Sequence, residues 1–94
     1  MIIRWESGHD YVLVHVHRDM FGDWILSRAW GQIGTGYGGL RHALAESFDQ
    51  AMTWVDSIDH IQTSRGFERV WSSEDDDTPE ARHALAQLNQ LSEQ

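Results

Sequence analysis

Residues 11–19, YVLVHVHRD, alternate without a break, and this limits the fold of the 94-residue chain more than any other feature. Val12, Val14 and Val16 point to one side, and Tyr11, Leu13, His15 and His17 to the other. Side chains in a strand repeat every second residue, and β-branched residues fit a pleated surface, so the run predicts a β-strand. MFGD, ending at Asp23, supplies a glycine-containing turn. WILSRAWGQIG then predicts a second strand, with Trp24, Leu26, Arg28, Trp30 and Gln32 on one face. Ile25, Ser27, Ala29, Gly31 and Ile33 make the other. Two strands this close in sequence pair as an antiparallel hairpin.

Beyond the second strand the local signals compete. LRHALAESFDQAMTWVDSIDHIQ, residues 40–62, is rich in helix formers and could be one helix. However, Ser47 and Gln50 form an S-x-x-Q capping box, and Asp49 follows in the first turn, where a carboxylate suits the helix dipole. Phe48, Ala51, Met52, Val55, Ile58 and Ile61 then recur at helical spacing. A helix from Ser47 to Gln62 is therefore expected, and residues 40–45 become a third strand against their own propensity. Arg65 and Gly66 end the helix, and Phe67–Trp71 reads as a closing strand. Residues 72–78 are an acidic linker. Thr78 as cap and Pro79 at the first helical position open a final helix over 79–94. Its thin stripe of Ala81, Ala84, Leu85, Leu88 and Leu91 could dock on the sheet, pack on another molecule or fray.

The expected fold is α+β: a twisted antiparallel sheet of four or five strands, one helix packed on it, and a C-terminal helix. A chain this short buries roughly 60–65% of its unfolded surface, enough for one core. Residues 1–71 form the domain. There is no cysteine, so disulfides and thiolate metal sites are excluded. No apolar run is long enough for a signal peptide or a membrane span, so a cytoplasmic location is expected. Net charge is −8: residues 1–71 carry nine acids and six arginines, whereas residues 72–94 carry six acids and one arginine. That balance disfavours indiscriminate binding to a nucleic-acid backbone but leaves room for a local site.

The order strand, strand, strand, helix, strand around Trp30-Gly31-Gln32-Ile33-Gly34-Thr35 resembles the WGR domain, named for Trp-Gly-Arg-Ile/Val-Gly-Thr. AESFDQA, residues 45–51, matches the family's helix start, and SRGF, residues 64–67, its helix end. The resemblance covers about Tyr11 to Val70. It implies a non-catalytic domain of the kind found in poly(ADP-ribose) polymerases and in small bacterial WGR-like proteins. In the polymerases the domain binds broken DNA near a strand end and relays that event to its neighbours. By position, the motif tryptophan at the DNA contact is Trp30 and the motif arginine is Gln32. Glutamine has no cationic fork for phosphate, and the family's Lys-rich helix end is reduced here to Arg65.

Gly34, Gly36 and Gly39 also fit G-x-G-x-x-G, a dinucleotide loop when a helix opens directly behind it. The expected helix starts some eight residues later, so the glycines read as a hairpin loop requiring positive φ, with or without ligand contact at Gly34, Thr35 and Gly36. Arg28, Trp30 and Gln32 on one strand face, with Arg41 and Arg65, form the candidate nucleic-acid surface; alternatively that face is core under the helix. His15 and His17 at i, i+2, with His42, could chelate a metal, or form an ordinary half-exposed strand face. Glu74 and Asp75–Asp77 read as solvated linker, or as a cation-attracting or nucleic-acid-mimicking run. No arrangement of nucleophile, base and acid stands in a recognisable motif. The expectation is a binding module, not an enzyme, with no cofactor. Its partner is either nucleic acid or, favoured by the acidic charge and Gln32, a protein or a second copy of the chain.

Overall fold

The computed structural model describes residues 1–92. Five strands and two helices follow in the order β1 (Ile2–Ser7), β2 (Asp10–Arg18), β3 (Trp24–Gln32), β4 (Gly38–Ala45), α1 (Phe48–Ser64), β5 (Glu68–Ser73), α2 (Pro79–Ser92). The sheet has the order β4-β3-β2-β1-β5, every neighbouring pair antiparallel. The fold is α+β, with α1 on one face of the sheet and α2 on the other.

The alternation of β2 has its physical reason in this layering. Val12, Val14 and Val16 join Ile3, Trp5 and Leu26 beneath Ala51, Val55 and Ile58 of α1. Tyr11 and Leu13 face the other way and join Ile2 and Ala29 beneath Ala81, Ala84 and Leu88 of α2. β2 and β1 are thus buried on both faces, and the C-terminal helix docks. Ala29 together with Ala81 and Ala84 lets the α2 backbone come close to the sheet. Glu93 and Gln94, the end of the expected helix, lie outside the described residues.

The helix boundaries follow local chemistry. Ser47 Oγ accepts from the Gln50 amide at 3.0 Å, while Gln50 Oε1 accepts from the Glu46 amide at 2.7 Å. These side chains satisfy amides at a terminus with no intrahelical partners. At the other end Gly66 has φ +90°, its amide bonds Thr63 O at 3.0 Å, and the Phe67 amide bonds Gln62 O at 2.9 Å. That pair of bonds is a Schellman closure. Thr78 caps α2, its Oγ1 accepting from the Ala81 amide at 3.2 Å.

The structure departs from expectation in several places: β3 stops at Gln32 rather than Gly34, β4 begins at Gly38 rather than Leu40, and α1 runs to Ser64 rather than Gln62. β1 has no alternating pattern of its own, since Ile2 belongs to one core and Ile3 and Trp5 to the other. β5 extends to Ser73, two residues into the expected linker, because it pairs with β1 as far as Ile2↔Ser73. Phe48 and Ile61, assigned to the apolar stripe of α1, are exposed, while Gln62 is buried. Gln62 is held there by the Arg65 guanidinium, which donates to Gln62 Oε1 at 3.2 Å. Among the described residues no helix is long and apolar enough to cross a membrane.

Candidate nucleic-acid interface

The glycine-rich stretch is a hairpin. β3 and β4 pair from Trp24↔Ala45 to Gly31↔Gly38, and no helix follows the loop between them. Gly34 carries the positive φ, +81°. Gly39 serves a different need: a Cβ there would collide with the Trp30 ring, so the indole lies over the backbone of β4.

This hairpin sets out the candidate residues along its α1 side. Leu26, Arg28, Trp30 and Gln32 share that face of β3, and Arg41 lies directly across from Arg28. Arg28 sits over the Trp30 ring, 5.7 Å from its centroid. Trp30 is 37% exposed, so neither alternative holds alone: the ring rests on Gly39 and still meets solvent. Arg28 and Arg41 have no carboxylate within ion-pair distance among the described residues. Like charges directly opposite in an antiparallel pair repel and destabilise it.

Two cavities continue the face. One, of about 320 Å³, lies between Arg28, Arg41, Leu26 and Ala43 of the hairpin and Trp54 and Ile58 of α1. The other, of about 230 Å³, lies between Trp30, Gln32 and Asp10 on the strands and Arg65 and Phe67 after α1. The Schellman turn places Arg65 there, with its guanidinium 5.1 Å from the Phe67 ring centroid. All five candidate side chains therefore line one side of the molecule. The loop residues Gly34 and Thr35 do not join them. They border a larger groove with Arg4, Trp71 and His83, against α2. Trp54 and Asp10 join the site without a motif to mark them, and Ile58, expected only as part of the apolar stripe of α1, shares the flank of Trp54 through their i, i+4 spacing.

His15 and His17 lie on the α2 side, in a separate polar chain. Their rings stack at 4.3 Å, with His15 Nε2 3.0 Å from Asp76 Oδ2. Asp76 Oδ1 accepts from the Met1 amino group at 3.3 Å, so the acidic linker is pinned at this residue. The Ser27 hydroxyl lies 3.2 Å from His17 Nε2 and 2.7 Å from His42 Nδ1. Burial pushes the pKa of both His15 and His17 below the ordinary value, against the opposing pull of the hydrogen bond to Asp76 on His15. Burial opposes ionisation of Asp76, but the His15 hydrogen bond and the amino terminus hold its carboxyl below the usual range. Among the described residues no group of three or more His, Asp or Glu side chains is arranged to hold a metal ion.

No protein-family model, curated protein or solved structure matches this chain.

Proposed function

We propose that the chain is a non-catalytic, WGR-like binding module that engages nucleic acid through the α1 side of the β3–β4 hairpin. The observation that carries this is the Arg28–Arg41 pair, two opposed cations with no carboxylate partner among the described residues, beside a half-exposed tryptophan. An anionic group between them would relieve their repulsion, and a base on Trp30 would supply stacking. The net charge of −8 is not spread evenly. Among the described residues Asp10 is the one carboxylate lining the two cavities of this face.

The test is a titration of a 5′-phosphorylated nicked duplex and of a single strand at low salt, followed by Trp fluorescence. Binding should register, and Trp30→Ala and Arg41→Ala should each weaken it. No binding of either probe up to about 100 μM, where non-specific DNA binders already register, would sink the proposal.

Self-association is the second reading. Met20 and Phe21 at the β2–β3 turn and Leu44 near the end of β4 are exposed at one end of the sheet. A concentration-dependent mass in sedimentation, abolished by Phe21→Ser, would favour it.

A further inference from the structure

The order of side chains along this face distinguishes between kinds of nucleic acid. Leu26, Arg28, Trp30 and Gln32 follow one another on one face of β3, with steps of about 6.6 Å between neighbours. α1 runs alongside in the same direction. Trp54 and Ile58 flank the first cavity and Arg65 the second. Ile61, at the same helical spacing between them, is 51% exposed. The face is thus a trough with a fixed sequence of chemistry. First comes an apolar cleft under Trp54 and Ile58. The two arginines follow, then the Trp30 indole, which is 37% exposed with the Arg28 guanidinium beside it. At the end lie Gln32, Asp10 and Arg65.

Resting on the nucleic-acid assignment above, we infer that the ligand is a single-stranded base–phosphate–base step, with its phosphate between Arg28 and Arg41, one base in the Trp54 cleft and the next on Trp30. The cleft, about 320 Å³, is at the small end of ligand pockets, which start at roughly 300 Å³. To enter a cleft flanked by Trp54 and Ile58 of α1 a base must leave its stack and its pair, which costs least in a single strand. Leu26, Ala43 and Ile58 supply the apolar surface of the cleft. The phosphate belongs at the arginine pair because the far end of the trough holds Asp10, which repels a second phosphate. Asp10 and Gln32, paired across β2 and β3, instead offer hydrogen-bond partners to the edge of the base on Trp30. One phosphate neutralised also accounts for how an acidic chain can bind: stacking supplies most of the affinity, and charge supplies little.

The experiment compares three probes on the intact chain by Trp fluorescence: an adenine dinucleoside monophosphate, a short unstructured single strand, and a closed hairpin duplex without free ends. The first two should bind, and the duplex at least about tenfold more weakly. The single-strand affinity should fall with salt at a log–log slope near −0.7, the value for one neutralised phosphate. Trp54→Ala should weaken the dinucleoside monophosphate at least about fivefold, the low end of base–aromatic stacking. Because Trp54 is half-buried, Arg41→Gln on the exposed edge strand is the companion variant, with Arg82→Gln on α2 as control. Arg41→Gln should weaken single-strand binding and flatten its salt dependence, and Arg82→Gln should change neither; an Arg41→Gln protein with the wild-type salt slope overturns the inference. Duplex binding as tight as single-strand binding overturns the inference and leaves the broader proposal standing. A folded Trp54→Ala protein with unchanged affinity also overturns it. If no probe binds, both fall together.

Discussion

At Gly39 the missing side chain leaves space that the Trp30 indole occupies. Gly39→Ala should push the ring off the strand and cost about 1–3 kcal/mol, as overpacking does elsewhere. The urea midpoint should fall and acrylamide quenching of Trp emission should rise; an unchanged midpoint would mean that the ring lies elsewhere. Trp5 shows a second residue-scale dependence. It is fully buried, and its Nε1 donates to Asp59 Oδ1 at 2.8 Å. The same oxygen lies 3.2 Å from Arg69, but both side chains of that ion pair are substantially exposed. An exposed pair contributes little, whereas a buried donor left without an acceptor costs about 1–3 kcal/mol. Asp59→Ala should therefore destabilise by that amount, and Asp59→Asn, which keeps an acceptor, should stay close to wild type. Equal losses in the two variants would place the effect in the ion pair instead.

Among the elements, α1 and β4 show local and long-range information pulling apart. LRHALA favours a helix by composition, yet residues 40–45 form most of β4 because each pairs with a residue of β3. Strand preference depends strongly on context, and a ladder partner outweighs propensity. The boundary between strand and helix is written at Ser47, whose hydroxyl meets the Gln50 amide. Ser47→Ala should cost about 1 kcal/mol in thermal or denaturant unfolding. A loss near zero would show that the helix start is held by packing alone. The glycine run belongs at this scale too. Its G-x-G-x-x-G spacing is legible, but the loop joins two strands, so no helix terminus faces it.

For the whole molecule, pH acts through the chain of side chains that links the amino terminus, the linker and the sheet. His15 and His17 are held below their ordinary pKa of about 6.5, so folding favours their neutral forms. Their contribution is complete above that value and is lost as pH falls through it, because the unfolded chain takes up protons first. His42 and the Met1 amino group add positive charge near the pair, and Asp76 is the compensating carboxylate. Asp76, held below its usual value, contributes above about pH 3.9 and loses that contribution as pH falls further. Urea midpoints should be level near neutrality, decline below about pH 6.5 and decline again below about pH 4. His17→Gln should flatten the first decline; a wild-type profile level down to pH 5 would contradict this account.

The chain's short-range signals determined much of the architecture by themselves. Alternation in residues 11–19 and 24–34 marked β2 and β3 with their correct faces, though β3 ends at Gln32, and three caps at Ser47, Gly66 and Thr78 marked helix ends. Each of these is encoded within a few neighbouring residues, so no knowledge of distant partners is needed. The α1 side was legible as a set of candidates, Arg28, Trp30, Gln32, Arg41 and Arg65, but not as a trough. Only tertiary structure decided that Trp54 closes a cleft over Arg28 and Arg41, and that Trp30 lies on Gly39. It likewise decided that Ile2–Ser7 is a strand serving two cores, and that α2 covers the second. It also brought Asp76 to His15 across 61 positions of sequence. The reason is physical: these features arise from packing between segments distant in the chain, and a pattern read along a single segment carries no record of what will lie across from it.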